Sequence, residues 1–362
     1  MRAGTALLLT LSLLTLSVLT LGGCASIGPG SVKRDRFDYN LALTESWKRQ
    51  VLLNLVKLRY VEPISFVDVG QIVAAYTLES DVGLGATRTG YDRPTVMDNY
   101  SVNANVSGKY TDKPTITYSP MTGKAFLRGV MQPIPVQNIL QNIQSGVSAD
   151  VILTMSAASL NGLRNEGVSY ATLRPADGRF LRAVALLRSL QLAGVLRIHL
   201  HEKNGGPTLG FPKGQLAEDT AAQVAELKAL LGLDPARNSF RVVDGHSNDE
   251  PGEIAVNCYS ILQILTSLAI RVDVPEEDIK AGRATPGLQA EPGRLNPLGA
   301  RIRSGGEAPE RAFASVRFRD RWFWVDDSDM STKRLFSFIL MAFTLTDETR
   351  HESQVQLTVP AQ

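Results

Sequence analysis

Tyr100–Tyr110 reads YSVNANVSGKY, and its alternation decides what kind of protein this is. Tyr100, Val102, Ala104 and Val106 fall on one parity, and Ser101, Asn103, Asn105 and Ser107 on the other. A period of two puts the apolar set on one face of a half-buried β-strand and the polar set on the other. Upstream, ISFVDVGQIVAAYTLESDVGLGA (64–86) carries both a helical spacing (Val69, Ile72, Val73, Tyr76) and a richness in Val, Ile, Phe, Tyr and Thr. The β-branched and aromatic content favours strand. With a turn near TDKP (111–114) and a return through TITYSP (115–120), residues 64 to 119 read as a long antiparallel hairpin system.

Helix signals flank it. In TESWKRQVLLNLVKLRY (44–60), capped by Thr44 or Ser46, residues Trp47, Val51, Leu55 and Leu58 share a face. Lys48, Arg49, Lys57 and Arg59 mark the wetter side. After the hairpins, GKAFLRGVM, VQNILQNIQSG, ADVILTMSAASLNGLRN and FLRAVALLRSLQLAGV read as helices. An alternating pattern follows: strand LRIHLHE, helix LAEDTAAQVAELKALLGL, strands SFRVVDG and EIAVNC, helix YSILQILTSLAI. Residues 281 to 310 lack periodicity and read as a loop. AFASVRFRDRWFWVDD reads as a hairpin turning near Asp320-Arg321, STKRLFSFILMAFTL as a helix capped by Ser331, and QVQLTV as a last strand. The predicted fold is α+β, with an N-terminal helix and long antiparallel β-hairpins, a helical middle and a mixed α/β C-terminal region. The divisions are 37–120, 121–195 and 196–362.

The first residues are of another kind. Arg2 is followed by an uncharged, Leu-rich run to Gly23, the pattern of a secretory signal over 1–23 rather than a membrane span, since no charged stop follows Leu21. Leu21-Gly22-Gly23-Cys24 resembles the lipobox of bacterial lipoproteins. The resemblance implies cleavage before Cys24, acylation of its thiol and amine, and anchoring by several chains, which is stable where a single chain is not. Ala25, rather than Asp, implies the outer membrane, with the body on its periplasmic face. Residues 24–36, CASIGPGSVKRDR, read as a polar tether of roughly 40 Å at full stretch. The stretches DYNLALTESWKRQVLLNLVKLRY, PTITYSPMTGKAF and VRFRDRWFWVDDSDMSTK also look like a group of predicted bacterial lipoproteins of uncharacterised role, which supplies no catalytic residues.

The chain of 362 residues is 44% hydrophobic, enough to bury a real core. Its net charge of +2 falls by one with loss of Arg2, and this balance argues against a nucleic-acid partner. Of two cysteines, Cys24 is assigned to lipid, and Cys258, in EIAVNCYSILQIL, reads as a buried inert thiol.

Three constellations stand out as candidate chemistry. His199 and His201 share a strand face and could grip a metal, with Asp244 and His246 from a neighbouring strand end; plain exposed histidines are the simpler account. Asp327 and Asp329, next to Asp326, resemble the Asp-x-Asp pattern of haloacid-dehalogenase-like enzymes, but that motif opens its fold and here about 30 residues remain. The simpler account is helix capping by Asp329 and Ser331. Arg317, Arg319 and Arg321 interleave with Phe318, Trp322 and Trp324, which suits either ordinary core patterning or a patch that stacks on glycan or protein.

No P-loop, nucleophile elbow, Cys-x-x-Cys or dinucleotide fingerprint occurs, so no cofactor is expected. The leading expectation is a lipid-anchored, non-enzymatic binding or assembly module in contact with other envelope proteins or glycan. A metal-dependent envelope hydrolase built on Asp327 and Asp329 is the alternative. A further one is an oligomeric outer-membrane pore component, because residues 82 to 106 resemble a membrane β-hairpin.

Overall fold

The computed structural model describes residues 27–73, 75–89, 99–169, 172–200, 206–247, 250–287 and 299–346. It bears out an α+β fold that starts with a helix.

Helix α1 spans Ile27–Arg59. It absorbs residues 27–36, most of the segment 24–36 that reads as a polar tether. Pro29 lies in the first turn, where a missing N–H costs nothing, so GPG does not break the helix. Only the second half of α1 is buried: Val51, Leu52, Leu55 and Val56 are in the core, while Phe37 and Leu41 are exposed at 65% and 68%. Arg59, expected on the wet side, is also buried. Its guanidinium donates to Val272 O (3.1 Å), Thr285 Oγ1 (2.7 Å) and Pro286 O (2.9 Å). Acceptors 213 to 227 residues away in sequence satisfy a group that local patterning sends to water.

The hairpin system is a ribbon made of two ladders. Strands β1 (Phe66–Val73), β2 (Tyr76–Thr89), β3 (Asn99–Asp112) and β4 (Thr115–Met121) pair as β1 with β4 and β2 with β3. TDKP is therefore not a turn that folds β4 back on β3. It is the interruption between ladders, bridged by Lys113 N–H donating to Ala75 O at 3.0 Å. Pro114 has no N–H to give the ladder, which breaks there without reversing direction.

The region from 121 to 195 holds helices α2 (Gly123–Met131), α3 (Val136–Gln144), α4 (Ala149–Ser156) and α5 (Gly178–Leu192). It is not wholly helical, however. The chain leaves α4 into strands β5 (Ala157–Leu160) and β6 (Leu163–Arg164), joined by Asn161-Gly162, both at positive φ (43° and 78°). Asn-Gly is the preferred two-residue turn of a tight hairpin, and it overrides the helical spacing read across it. A short pair, β7 (Gly167–Ser169) and β8 (Thr172–Arg174), follows.

The C-terminal region contributes β9 (Arg197–His199), β10 (Thr208–Gly210), α6 (Glu218–Leu230), β11 (Ser239–Asp244), β12 (Glu253–Cys258), α7 (Ile261–Ala269) and the short α8 (Glu276–Lys280). A six-stranded sheet runs β6-β5-β12-β11-β10-β9, parallel only between β11 and β12. Leu209, Val242, Ile254 and Val256 of this sheet meet Leu140 and Ile143 of α3, Leu153 of α4, Leu187 of α5 and Leu227 of α6 in an all-apolar layer.

A second sheet, ordered β13-β15-β14, comes from β13 (Arg303–Gly305), β14 (Ala314–Phe318) and β15 (Arg321–Val325). Strand β13 falls within residues expected to form a loop; three residues are too few to show a period. The β14–β15 turn is Arg319-Asp320, one residue earlier than expected, with φ of 47° and 60°. The terminal helix α9 spans Met330–Thr346. QVQLTV lies outside the described residues. Phe66 at the root of the ribbon joins these parts: its ring centroid is 5.8 Å from Trp47 of α1, 6.2 Å from Phe126 of α2 and 4.8 Å from Phe343 of α9.

Candidate functional site

The ribbon is held at its root by side chains that imitate a strand. On α1, Asn54 exchanges two hydrogen bonds with the Ser65 backbone (both 2.8 Å), and Gln50 exchanges two with that of Val67 (3.0 and 2.7 Å). A spacing of four on the helix thus matches a spacing of two on the strand. Farther out, the Tyr76 hydroxyl donates to the Asp35 carboxylate. Moving toward the N-terminus of α1 is therefore moving outward along the ribbon. Gln50 to Asp35 is about 22 Å of helix, and Val67 to Tyr76 about 30 Å of strand.

From Tyr76 outward the β2–β3 ladder runs for 14 paired residues per strand. Among the described residues no third element packs extensively along it. Its odd-numbered face is polar and, apart from half-buried Thr111, exposed: Thr77, Glu79, Asp81, Gly83, Gly85 and Thr87 stand opposite Thr111, Lys109, Ser107, Asn105, Asn103 and Ser101. Glu79 and Lys109 form an ion pair at 3.8 Å. The even-numbered register pairs are Leu78–Tyr110, Ser80–Gly108, Val82–Val106, Leu84–Ala104, Ala86–Val102 and Arg88–Tyr100.

The Arg and Trp residues are divided between two sides of the second sheet. Phe323 and Val325 face the core, so Trp322 and Trp324 lie on the opposite face, half-buried. Register places Arg317 beside Trp322, and Arg303 and Ser315 beside Trp324. A Cβ on Gly305 would stand 3.1 Å from the Trp324 ring, so glycine there lets the indole lie across β13. Arg319 and Arg321 leave this patch. Arg319 pairs with Glu62 (2.7 Å) and sits 4.7 Å from the Tyr60 ring centroid; Arg321 opposes Phe318. Burial raises the Tyr60 phenol, whose hydroxyl donates to Asp278 at 2.6 Å. That hydrogen bond, with help from Arg283, holds the Asp278 carboxyl below the usual range.

The acidic cluster serves helix α9. Asp329 accepts from Thr332 N–H (3.0 Å) and Thr332 Oγ1 (2.6 Å), which makes it the cap; Ser331 is inside the first turn. Asp327 pairs with Lys333 at 2.8 Å. Asp326 accepts from the Ser328 hydroxyl and N–H, bonds that lower its carboxyl below the usual range.

His199 is exposed on edge strand β9, and His201 lies outside the described residues. Strand β10 separates β9 from Asp244, which accepts from Val136 N–H (3.4 Å) at the start of α3. Among the described residues, no group of three His, Cys, Asp or Glu side chains gathers to hold a metal. Cys258 is buried, and burial pushes its thiol up to about 12.

Sequence reading missed one polar site. Glu166, which lines a cleft of about 280 Å³ with Asn165, Arg174, Tyr259 and Gln263, forms a buried ion pair with Arg271, 105 residues away. The Tyr259 hydroxyl donates to Glu166 O, and burial raises its phenol to about 12. Among the described residues Glu166 Oε2 has no hydrogen-bond partner. The cleft can bind a small donor group. No local pattern announces it, because its two charges meet only in the folded chain.

Cys24 and its lipobox lie outside the described residues. Among the described residues, no helix is long and apolar enough to cross a membrane. Compared with protein-family models, curated proteins and solved structures, this chain finds no match.

Proposed function

We propose that this protein is a lipid-anchored component of the cell envelope, held at the periplasmic face of the outer membrane by acyl chains on Cys24. It works as a non-enzymatic assembly module through its projecting ribbon. The observation that carries this reading is the β2–β3 ladder itself: 14 paired residues per strand, one face polar and exposed, and no third element packed extensively along it among the described residues. A two-stranded ribbon is at best marginal in water without a covering surface. The direction of α1 supports the anchor, since its N-terminal end, three residues after Cys24, is carried outward beside the ribbon. The candidate catalytic carboxylates are occupied as a helix cap and an ion pair, which weighs against the hydrolase alternative. The outer face with Trp322, Trp324 and Arg317 is a second contact surface, suited to another envelope protein or to glycan.

The test is fractionation of cells that produce wild type, Cys24→Ala, or a chain whose residues 77–111 are replaced by a short Gly-Ser turn. Wild type should float with outer membrane and Cys24→Ala should not. The ribbon-less chain should stay anchored yet lose the high-mass species that wild type forms on chemical cross-linking. Outer-membrane flotation of Cys24→Ala equal to wild type would refute the anchor. Unchanged cross-linked species without the ribbon would refute its role.

A further inference from the structure

We infer that the β2–β3 ribbon is a membrane-inserting hairpin. Its even-numbered face meets bilayer hydrocarbon, and its outer edges pair with the ribbons of other copies of this chain to close a barrel. The inference rests on the anchored-assembly reading and deepens it by naming what covers the ribbon.

Four observations meet here. First, the register separates the two faces by chemistry. Every odd-numbered position from 77 to 89 and from 99 to 111 is polar or glycine, whereas the even-numbered pairs Val82–Val106, Leu84–Ala104 and Ala86–Val102 are apolar. Membrane barrels are apolar toward lipid and polar toward the lumen, alternating within each strand.

Second, the dimensions fit. Tyr110 and Tyr100 share the even-numbered face and bracket those pairs, ten residues apart. Ten residues of strand rise about 33 Å, and at a tilt of about 40° they span about 25 Å of bilayer. That is the height of the apolar band that aromatic girdles flank in such barrels. Arg88 pairs in register with Tyr100, at the level of the far interface, where arginine is tolerated.

Third, the edges require neighbours. β2 and β3 form a two-stranded sheet, so along residues 77–89 and 99–111 each strand pairs on one side only among the described residues. In hydrocarbon every backbone group needs a partner, so only a closed array is viable. Two strands per copy supply the even strand number of single-chain outer-membrane barrels.

Fourth, the anchor points to the same place. Asp35 lies level with Tyr76, and Ile27 is about 12 Å farther out along α1. Ile27, three residues after Cys24, thus reaches just past the level of the Leu78–Tyr110 pair, where the apolar band begins.

The test uses the full-length, lipidated chain carrying one introduced thiol: Val82→Cys or Val106→Cys on the even-numbered face, Gly83→Cys or Asn105→Cys on the odd-numbered face. Cys24 is acylated in that form and Cys258 is buried, so the added thiol takes an environment-sensitive fluorophore. The labelled protein is reconstituted into vesicles of phosphatidylethanolamine and phosphatidylglycerol loaded with a self-quenching dye. Spin-labelled lipid should quench the fluorophore strongly at 82 and 106 and not at 83 and 105, where aqueous iodide should quench instead. Cross-linking should give a closed oligomer, and trapped dye should escape. The chain lacking 77–111 should float with the vesicles and release nothing. Chains that float but show equal quenching at both parities overturn the insertion while the anchor stands. Alternating quenching with only monomer after cross-linking overturns the barrel. Failure of the wild-type chain to float overturns both readings.

Discussion

At the scale of single residues, two buried groups state the chemistry of the interior most sharply. Glu166 and Arg271 have side chains only 5% and 3% exposed. Charges taken out of water depend on each other, and removing one strands the other. Arg271→Leu should cost about 3–5 kcal/mol in denaturant unfolding, and adding Glu166→Leu should recover much of that loss. Cys258 gives the second prediction. Its folded thiol titrates near 12 against an ordinary value of 9.0, so folding favours the neutral form. That preference is fully present below pH 9.0 and is lost as pH climbs from there through about 12. Cys258 should therefore resist thiol reagents at neutral pH until the chain unfolds. Cys258→Ala should remove part of the loss of stability that pH titration shows across this alkaline window.

At the scale of elements, the ends of helices and strands carry the information. Helix α1 ends in Val61 at φ 59°, with Glu62 N–H donating back to Lys57 O at 2.8 Å. A β-branched residue is strained in the left-handed region that glycine occupies freely. Val61 is 75% exposed, so little packing is lost with its side chain. Val61→Gly should raise stability by about 1 kcal/mol, seen as a higher unfolding midpoint in thermal scans. Some element ends were legible in the sequence. Ser260 and Gln263 form the capping box of α7 that a Ser-x-x-Gln spacing announces. Asn161-Gly162 is as plain a hairpin signal, yet the helical spacing of Val151, Met155, Ala158 and Leu163 masks it when the window spans the turn. Helix and strand periods coincide by chance over short apolar runs, and there the turn residues are the better guide.

At the scale of the whole molecule, the body and the ribbon obey different rules. The body closes around one continuous apolar cluster: α1, α2, α7 and α9 pack together, α1 also against the second sheet, and α3, α4 and α5 against the six-stranded sheet. Among the described residues none of the ribbon beyond Tyr76 belongs to it. Replacing residues 77–111 by a short turn should therefore lower the thermal unfolding midpoint by less than about 2 °C, as differential scanning calorimetry would record. Period-two alternation is a property of neighbouring residues, so the strands of the ribbon and their two faces could be read directly from the chain, as could the amphipathic half of α1. The lipobox, likewise local, located the anchor as an expectation. Pairing is not local. That β4 returns to β1 rather than β3, that Arg59 is buried on distant carbonyls, and that Glu166 finds Arg271 all depend on segments meeting across the fold. The sequence alone therefore determined the faces of the elements. Only the tertiary structure decided their partners, because a buried polar group is stable wherever the folded chain supplies its acceptor, at any distance along the sequence.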